Sequence, residues 1–334
     1  MKSRGKGGGH RALWGAVYAG TFLAAFAASA AVKLTVRPLV AGAQMQRGGF
    51  TGRVYTDLPY GEREANRFDL YVPAGGGKEA YGLVVYLHAG GFTGGDKADD
   101  AAMLKWLCQK GYVAAGVNYT LLSGQNPWAN VATMSQEIKS SIPAIQAQAE
   151  KLGYPLSEMA VAGGSAGGTL ALLYAYRDAP QSPIPVKFVF EAVGPASFYP
   201  EDWVSYGLDK SPQAAAALFG AMAGRSIPVE SMGTQAYDEA VKEISPVLWV
   251  DEHTVPTLCA YGAYDKICPI GSARRLADAL KAHGVPHDYI ELPHSGHGLQ
   301  NDDRLYAQYL HKLEEYLQVY LGGAPPGAQS AAEG

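Results

Sequence analysis

The residue pattern with the clearest chemical meaning is Gly163-Gly164-Ser165-Ala166-Gly167, which has the form G-x-S-x-G. It follows an apolar run from Met159 to Ala162 and precedes a helix-forming run from Ala166 to Ala175. This order predicts a nucleophile elbow, a sharp strand-to-helix turn that presents a serine hydroxyl. Because 41 of the 334 residues are glycine, the pattern also arises by chance and needs chemical partners elsewhere in the chain.

A serine nucleophile needs a general base and a carboxylate that orients the base, and Asp265 and His297 stand at suitable places. Asp265 closes a glycine-containing turn after the apolar run from Thr257 to Tyr261. His297 lies in a loop between the strand-like run from His287 to Leu292 and the last helical stretch. Both therefore belong at the carboxyl edge of the predicted sheet, where a catalytic triad with Ser165 would assemble.

Each of these two residues has a plainer interpretation when taken alone. An aspartate in a glycine-rich turn usually shapes the turn, and a histidine in a loop is usually solvated. Their joint occurrence after Ser165, in the order serine, acid, histidine, favours the catalytic interpretation. His294 is the competing base, and we prefer His297 because the glycines on both sides of it would let its ring reach over the serine.

A glycine-rich loop follows a third apolar run, which extends from Leu83 to Leu87. It begins His88-Ala89-Gly90-Gly91-Phe92 and predicts an oxyanion hole. Backbone N–H groups must approach a developing oxyanion to about 3 Å, which favours residues without side chains. We expect Gly90 and Gly91 to donate, with the N–H of Ala166 as a third donor. The alternative is a flexible glycine turn.

The elements that must position these groups alternate between strands and helices after an initial pair of strands. Strands are predicted over residues 53–55, 67–73, 83–87, 113–117, 159–162, 187–192, 257–261 and 287–292. Helices are predicted over 98–110, 134–152 with an interruption at Pro143, 166–175, 273–283 and 303–321. The first two strands read as an antiparallel pair at a sheet edge. The pattern predicts an α/β fold with a mostly parallel central sheet and helices on both faces.

The interval between the strands at 187–192 and 257–261 is too long for a simple connection. It holds a small-residue helical stretch over 214–223 and mixed turn and helix signals over 232–250. We interpret residues 196–250 as a lid over the carboxyl edge of the sheet, where open α/β sheets bind ligands. An ordinary pair of surface helices is the alternative.

The chain ends differ in composition from the predicted α/β domain at 46–322. Residues 1–45 hold basic residues up to Arg11, an uncharged stretch from Ala12 to Val32 and a linker, typical of a signal anchor or a signal peptide. The stretch is long enough to span a bilayer, since about 20 residues suffice, and Ala28-Ser29-Ala30 offers a cleavage site. Both interpretations place the domain outside the cytoplasm, anchored to the membrane or secreted. Residues 323–334 are expected to be a disordered tail.

Composition excludes several classes of function. With 48% hydrophobic and 17% charged residues the chain is a globular protein, and a net charge of −4 argues against a nucleic-acid partner. The three cysteines lack metal-ligand spacing. Cys108 and Cys259 lie in apolar surroundings typical of buried free thiols, and a pair between Cys259 and Cys268 is the alternative. We expect neither a metal nor an organic cofactor, and the sequence leaves the oligomeric state open.

The motifs together resemble the α/β-hydrolase superfamily, in its carboxylesterase and lipase branch, close to hormone-sensitive-lipase-like and bacterial feruloyl-esterase-like enzymes. The resemblance covers about residues 50–320. It is carried by His88 to Phe92, the glycines around Ser165, the turn that ends at Asp265, and His297-Gly298. Ala89 stands where the branch has the first glycine of its HGGG loop, and Asn118-Tyr119-Thr120 replaces a Tyr-Arg pair.

The resemblance implies hydrolysis of a small-molecule or saccharide ester through an acyl-serine intermediate. Two related activities remain open: a polysaccharide acetyl or feruloyl esterase, and a prolyl-oligopeptidase-like peptidase, against which the HGGG-type loop argues. A noncatalytic binding protein with a relict hydrolase domain is a further alternative. The full set of Ser165, Asp265, His297, Gly90 and Gly91 speaks against that last interpretation.

Overall fold

An eight-stranded sheet forms the centre of the structure, a computed structural model that describes residues 49–322. Its strands are β1 (Arg53–Pro59), β2 (Arg67–Val72), β3 (Tyr81–Leu87), β4 (Val113–Val117), β5 (Leu156–Gly164), β6 (Val186–Ala192), β7 (Thr257–Gly262) and β8 (His287–Leu292). They lie in the order β1-β2-β4-β3-β5-β6-β7-β8. The β1–β2 and β2–β4 pairs are antiparallel and the other pairs are parallel. The predicted mostly parallel sheet with an antiparallel edge is confirmed.

The described residues contain seven α-helices, five of which pack against the strands of this sheet. They are α1 (Ala101–Gln109), α2 (Val131–Lys151), α3 (Ala166–Leu173), α4 (Pro212–Ala223), α5 (Gln235–Val241), α6 (Ile270–Ala282) and α7 (Asp303–Tyr320). Alternate side chains of a strand point to opposite faces, so Leu83 and Val85 pack with α2 and α3 while Val84 packs with α1 and α7. The resulting three-layer arrangement holds β3, β4, β5 and β6 between two apolar cores.

Helix α2 runs through Pro143 without a break, so the predicted interruption there is wrong. Proline in a helix interior costs about 3 kcal/mol, because it removes one backbone hydrogen bond and crowds the preceding turn. Pro143 is on the exposed side of the helix, whereas Ile138, Ile142 and Ile145 are buried against the sheet. Burial of these side chains stabilises the helix enough to offset the proline.

The long segment between β6 and β7 carries α4 and α5 and packs into the core rather than standing away from it. Phe198, Trp203 and Phe219 are fully buried, and the Trp203 ring centroid lies 5.6 Å from that of Phe198 and 5.5 Å from that of Phe219. The Trp203 Nε1–H donates to the carbonyl of Ser197 at 2.8 Å. An aromatic cluster therefore fixes this segment in place.

Contacts with helix α6 fasten the same segment to the body of the sheet. The Ser272 hydroxyl accepts hydrogen bonds from the backbone N–H groups of Ala196 and Ser197 at 2.9 and 2.8 Å. The Arg275 guanidinium pairs with the nine-tenths-buried carboxylate of Asp202, with Nη2 at 3.0 Å from Oδ1. The predicted role of residues 196–250 as a lid stays a prediction.

The predicted targeting segment and linker at 1–45 and the predicted disordered tail at 323–334 lie outside the described residues. Within residues 49–322, none of the helices combines the length and the apolar character that a bilayer-spanning helix requires.

Candidate active site

Ser165 sits on a sharp turn between the end of β5 and the start of α3. Its φ of 54° and ψ of −120° lie in a region that a residue with a side chain rarely adopts, and its N–H donates to the carbonyl of Ala192 at 2.8 Å. A Cβ added to Gly163 would lie 2.4 Å from the carbonyl oxygen of Gly167. The glycine spacing around the serine thus follows from the closeness of the two arms of the turn.

The His297 imidazole joins Ser165 to Asp265. Its Nε2 lies 2.9 Å from the Ser165 Oγ, and its Nδ1 lies 2.7 Å from Oδ2 of Asp265. The His297 side chain is 8% exposed and the Asp265 side chain 0%. The structure therefore brings the three residues together in one buried hydrogen-bonded chain, with the geometry of a nucleophile, its base and the group that orients the base.

Backbone donors hold the Asp265 carboxylate in the orientation that faces the histidine. Its Oδ1 accepts from the N–H groups of Ile267 at 2.8 Å and Cys268 at 3.0 Å, which leaves Oδ2 for His297. The turn that bears Asp265 begins at Gly262, where an added Cβ would lie 2.3 Å from the carbonyl oxygen of Gly296. Glycine at 262 lets the histidine loop approach the end of β7 this closely.

Asp302 organises the loop that carries His297, a role that sequence reasoning missed. One of its oxygens accepts from the Ser295 hydroxyl at 2.6 Å and from the His294 N–H at 2.9 Å, and the other lies 2.8 Å from His294 Nδ1. Burial alone would raise the pKa of Asp302, but these hydrogen bonds outweigh it and hold the pKa below its usual value. The His294 side chain is 75% exposed and lies against Asp302, whereas it is His297 whose ring contacts the Ser165 Oγ.

The glycine-rich loop after β3 lies directly against the start of α3. An added Cβ at Gly167 would lie 2.0 Å from the Leu87 carbonyl oxygen and 2.6 Å from that of His88. Gly90 and Gly91 have φ values of 136° and 61°, and a Cβ at Gly90 would lie 1.9 Å from the carbonyl oxygen of Gly94. The loop is therefore a tight turn that only glycine can make, and its backbone borders the N-terminus of the helix that begins at Ala166.

The first residue of this loop, His88, packs against Tyr119. Their rings stack with centroids 4.3 Å apart and an interplanar angle of 6°, and the Tyr119 hydroxyl donates to the His88 carbonyl at 2.8 Å. His88 Nδ1 lies 2.9 Å from the Ala89 carbonyl. Burial lowers the pKa of His88, so its ring is neutral at neutral pH. The loop owes its shape to a buried aromatic pair as well as to its glycines.

Asn118, which directly follows β4, forms hydrogen bonds with the far end of the loop. Its side-chain N–H donates to Asp96 at 2.7 Å, and its Oδ1 accepts from the Lys97 N–H at 2.6 Å. Asn118 and Tyr119 belong to the segment that differs from the Tyr-Arg pair of the resembling branch. Their position immediately after a buried strand is a sequence signal for a role near the site. The hydrogen bonds themselves could not be predicted, because the partner residues are distant in sequence.

Within residues 49–322 the acidic, histidine and cysteine side chains form no cluster suited to a metal ion. The catalytic chemistry that this arrangement can perform is nucleophilic, with proton transfer by an imidazole and charge stabilisation by backbone N–H groups.

A comparison with protein families matches residues 68–280 to BD-FAE. The chain belongs to the BD-FAE family. The matched BD-FAE region contains Ser165 and Asp265 and the glycine-rich loop, and it ends before His297. This membership confirms the resemblance to the α/β-hydrolase superfamily and its carboxylesterase branch.

Curated and solved proteins extend the comparison beyond the BD-FAE region. The chain is 25% identical over 247 residues to Esterase LipC of Mycobacterium tuberculosis, which covers 72% of this chain and 58% of that protein. It thus spans less than two thirds of that relative. Esterase B of Lactobacillus rhamnosis superposes with a TM-score of 0.67 at 20% identity, covering 90% of this chain and 95% of that one. A truncated carbohydrate esterase from gut microbiota superposes with a TM-score of 0.64 at 18% identity, covering 81% and 98%. The superpositions confirm the α/β-hydrolase fold.

Proposed function

We propose that this protein hydrolyses carboxylic esters through an acyl-serine intermediate, with Ser165, His297 and Asp265 as the catalytic triad. The observation that carries the proposal is the buried hydrogen-bonded chain from Ser165 Oγ through His297 to Asp265, with separations of 2.9 and 2.7 Å. Membership of BD-FAE and the similarity to Esterase LipC support it.

In the first half of the reaction the Ser165 Oγ attacks the ester carbonyl carbon while its proton passes to His297 Nε2. The Asp265 carboxylate keeps the proton of the imidazole on Nδ1 and stabilises the imidazolium that forms. The backbone N–H groups of Gly90, Gly91 and Ala166 are proposed to bind the negative carbonyl oxygen of the tetrahedral intermediate. The carbon–oxygen bond to the alcohol then breaks, and His297 returns the proton to the leaving alcohol.

In the second half a water molecule attacks the acyl carbon, losing a proton to His297 as its oxygen bonds to that carbon. The same backbone donors stabilise the second oxyanion, and removal of one such donor typically costs about 3 kcal/mol of transition-state stabilisation. The bond to Ser165 Oγ breaks and the serine recovers its proton from the imidazole. The acid product leaves, and the enzyme returns to its starting state without any cofactor.

The proposal also concerns the class of ester that the protein cleaves. One structural neighbour is described as a carbohydrate esterase. A polysaccharide acetyl or feruloyl esterase is therefore the second candidate, and it falls within the same reaction class. A peptidase on the same fold is less consistent with this site, because the glycine-rich loop after β3 is an esterase feature.

The test uses Ser165→Ala together with a matched histidine pair. We expect Ser165→Ala and His297→Ala to lose turnover of p-nitrophenyl acetate, whereas His294→Ala retains it because that side chain is exposed and lies against Asp302. A fluorophosphonate probe should label the wild-type protein and not Ser165→Ala. Ester hydrolysis that survives in Ser165→Ala would refute the nucleophile. Cleavage of dipeptide p-nitroanilides without ester cleavage would favour the peptidase.

We also propose that the segment before the domain takes the protein out of the cytoplasm, as a membrane anchor if it is uncleaved. The support is the basic-then-uncharged sequence of residues 1–45. Expression of the full chain followed by cell fractionation and intact mass measurement tests it. A full-length chain in the cytosolic fraction would contradict the proposal, and loss of the first residues from a secreted product would identify a signal peptide.

A further inference from the structure

Glu191 is a fully buried carboxylic acid beside the turn that carries Ser165. It is the penultimate residue of β6, where it pairs with Gly163 of β5, and it is 0% exposed. A buried carboxylate is costly unless hydrogen bonds or opposite charges compensate for its lost hydration. Neither the catalytic triad nor the proposed oxyanion donors include Glu191, so its place at the end of β6 calls for another role.

The Glu191 carboxylate closes a short turn at the end of β6. Its Oε2 accepts a hydrogen bond from the Gly194 N–H at 2.8 Å, and this bond encloses Ala192 and Val193. The Tyr261 hydroxyl donates to the carbonyl of the same Gly194 at 2.8 Å. Burial, and after it the charge of Glu191, raise the pKa of Tyr261 well above its ordinary value, so this hydroxyl stays protonated and remains a donor. Side chains therefore hold both backbone polar groups of Gly194.

The turn contains a β-branched residue in a conformation that such residues rarely adopt. Val193 has a φ of 53°, in the left-handed region, and its side chain is buried. Among the non-glycine residues at 49–322, the others with a positive φ are Asp57, Phe92, Ser165 and Leu299. All but Asp57 lie, like Val193, on connections at the carboxyl edge of the sheet. Strained backbone of this kind persists only where its surroundings hold it, and it concentrates at active sites.

The strained turn is bonded directly to the nucleophile. The peptide unit between Ala192 and Val193 accepts a hydrogen bond from the Ser165 N–H at 2.8 Å and donates one to the Ala260 carbonyl of β7 at 2.9 Å. Relaxation of Val193 to a negative φ would rotate this unit relative to Gly194 and break the hydrogen bonds on one side or the other. The backbone position of Ser165 therefore depends on the conformation of Val193.

The same carboxylate lies against the first turn of α3. A Cβ added to Gly168 would lie 2.9 Å from Glu191 Oε2 and 3.0 Å from the Gly194 α-carbon, and one added to Gly194 would lie 2.9 Å from the Thr169 backbone nitrogen. The Thr169 hydroxyl also donates to the Pro195 carbonyl at 2.7 Å. The turn after β6 and helix α3 thus pack backbone against backbone beside the carboxylate. The glycine that follows the G-x-S-x-G pattern is explained by this contact.

We propose that Glu191 is a positioning residue for the nucleophile. Its carboxylate keeps Gly194 in place, which holds Val193 in the left-handed region and fixes the Ala192 carbonyl on the Ser165 N–H. The inference rests on the proposed function, because the serine that is positioned is the one that attacks the ester. Glu191 acts through the turn rather than on the reacting atoms, so its alteration should slow the chemical step and leave substrate binding unchanged.

Two conservative variants separate the position of the acceptor oxygen from its charge. Glu191→Gln keeps an acceptor at the same distance, whereas Glu191→Asp keeps the charge and draws it back by one methylene group. With p-nitrophenyl acetate we expect Glu191→Asp to lower kcat about tenfold at nearly unchanged KM, because the Gly194 N–H loses its charged acceptor. Glu191→Gln should keep kcat within about threefold of the wild type.

The matched control is another buried carboxylate, Asp178, which lies beyond the C-terminal end of α3 and pairs with Arg177. Its side chain is 5% exposed, so Asp178→Asn disturbs a buried charge as Glu191→Gln does. We expect Asp178→Asn to lower stability and to keep the kcat of the wild type.

A double-mutant cycle with Val193→Gly tests the strain itself. Glycine adopts a φ of 53° without strain, so in the Val193→Gly background Glu191→Asp should lower kcat less than about twofold. The cycle cancels the effect of the missing valine side chain, because both arms of the second comparison lack it. Thermal unfolding of the same four proteins measures the coupling between Glu191 and Val193 without turnover.

The outcomes separate this inference from the proposed function. An equal loss of kcat for Glu191→Asp in both backgrounds would overturn the inference. So would a wild-type kcat in Glu191→Asp, an equally slow Glu191→Gln, an equal fall in Asp178→Asn, or a rise in KM at constant kcat. Absence of Ser165-dependent ester hydrolysis in the wild type would instead overturn the esterase, and the coupling in thermal unfolding would still test the turn.

Discussion

The α-carbon of Gly167 faces the carbonyl oxygen of Leu87 so closely that a Cβ at position 167 would lie 2.0 Å from that oxygen. Leu87 ends the strand before the glycine-rich loop, and Gly167 lies in the first turn of the helix after Ser165. This close approach leaves no space for a side chain at position 167, so the two halves of the candidate active site pack backbone against backbone. The second glycine of the G-x-S-x-G pattern is required by the spacing of β3 and α3.

Gly167→Ala should therefore damage both stability and activity. The added methyl group can be accommodated only if α3 moves away from β3, and overpacking of this kind typically costs about 1–3 kcal/mol. Thermal unfolding and p-nitrophenyl acetate hydrolysis measure the two effects. Gly76→Ala is the control, since a Cβ there would make an ordinary contact at 3.5 Å with Tyr154. Wild-type activity in Gly167→Ala would contradict the account.

Tyr119→Phe removes the hydroxyl that donates to the His88 carbonyl and keeps the ring stack beside the loop that is proposed to form the oxyanion hole. We expect kcat to fall by up to about tenfold with KM nearly unchanged, since a hydrogen bond contributes about 0.5–1.5 kcal/mol and the loop acts on the transition state. Tyr174→Phe loses a comparable bond to Ser182 away from Ser165. A similar drop in kcat in Tyr174→Phe would show that the effect is general destabilisation.

The free energy of unfolding should fall as the pH is lowered from 7 to 5, in part because of His88. Burial lowers the pKa of His88, so the unfolded chain takes up this proton at a higher pH than the folded chain. Stability from the neutral ring is present above the unfolded pKa of about 6.5 and is lost below it, as the pH falls towards the folded pKa. Denaturant unfolding of His88→Asn, which does not titrate, should show a weaker dependence over this range. Equal slopes for wild type and variant would refute the assignment.

Arg275→Ala should loosen the segment between β6 and β7. It leaves the nearly buried Asp202 carboxylate with the Ser197 hydroxyl but without its cationic partner, and because Arg275 is 36% exposed we expect a loss of about 1–2 kcal/mol of stability. The adjacent Arg274 pairs with Glu291 and is 59% exposed, so Arg274→Ala should cost less than about 1 kcal/mol. Limited proteolysis should cut residues 196–250 faster in Arg275→Ala alone. Equal cutting in both variants would show that Asp202 and Arg275 do not anchor the segment.

Most of the sheet could be predicted from the sequence because its parallel strands are buried on both faces and read as continuous apolar runs, as in Val113–Val117. The residues at which strands and helices end are harder to predict from the sequence, because they depend on backbone hydrogen bonds to other parts of the chain. The wrong interruption at Pro143 has the same origin. Local propensity opposes the helix, and only the burial of Ile142 and its neighbours, a property of the packed chain, outweighs it.

Ser165, Asp265 and His297 could be named in advance because their chemistry requires particular residue types at particular topological places. Tyr119, Asn118 and Asp302 were not found, since each acts by holding a loop and has an ordinary residue type. Tyr119 and the His88 carbonyl it supports are 31 positions apart, a separation that no local pattern encodes. The preference for His297 over His294 rested on flanking glycines, whereas in the structure Asp302 turns His294 outward.

All three cysteines, Cys108, Cys259 and Cys268, are buried. Burial raises the pKa of the Cys108 thiol to about 12 and that of Cys259 well above its ordinary value. Because the thiolate is the species that exchanges with disulfides, the folded domain is inert towards oxidants at these sulfurs. An exported chain would nonetheless meet an oxidising compartment before its thiols are covered. For a chain exported as proposed, the rate at which the sheet and helices close over the thiols would set how much of the protein escapes crosslinking.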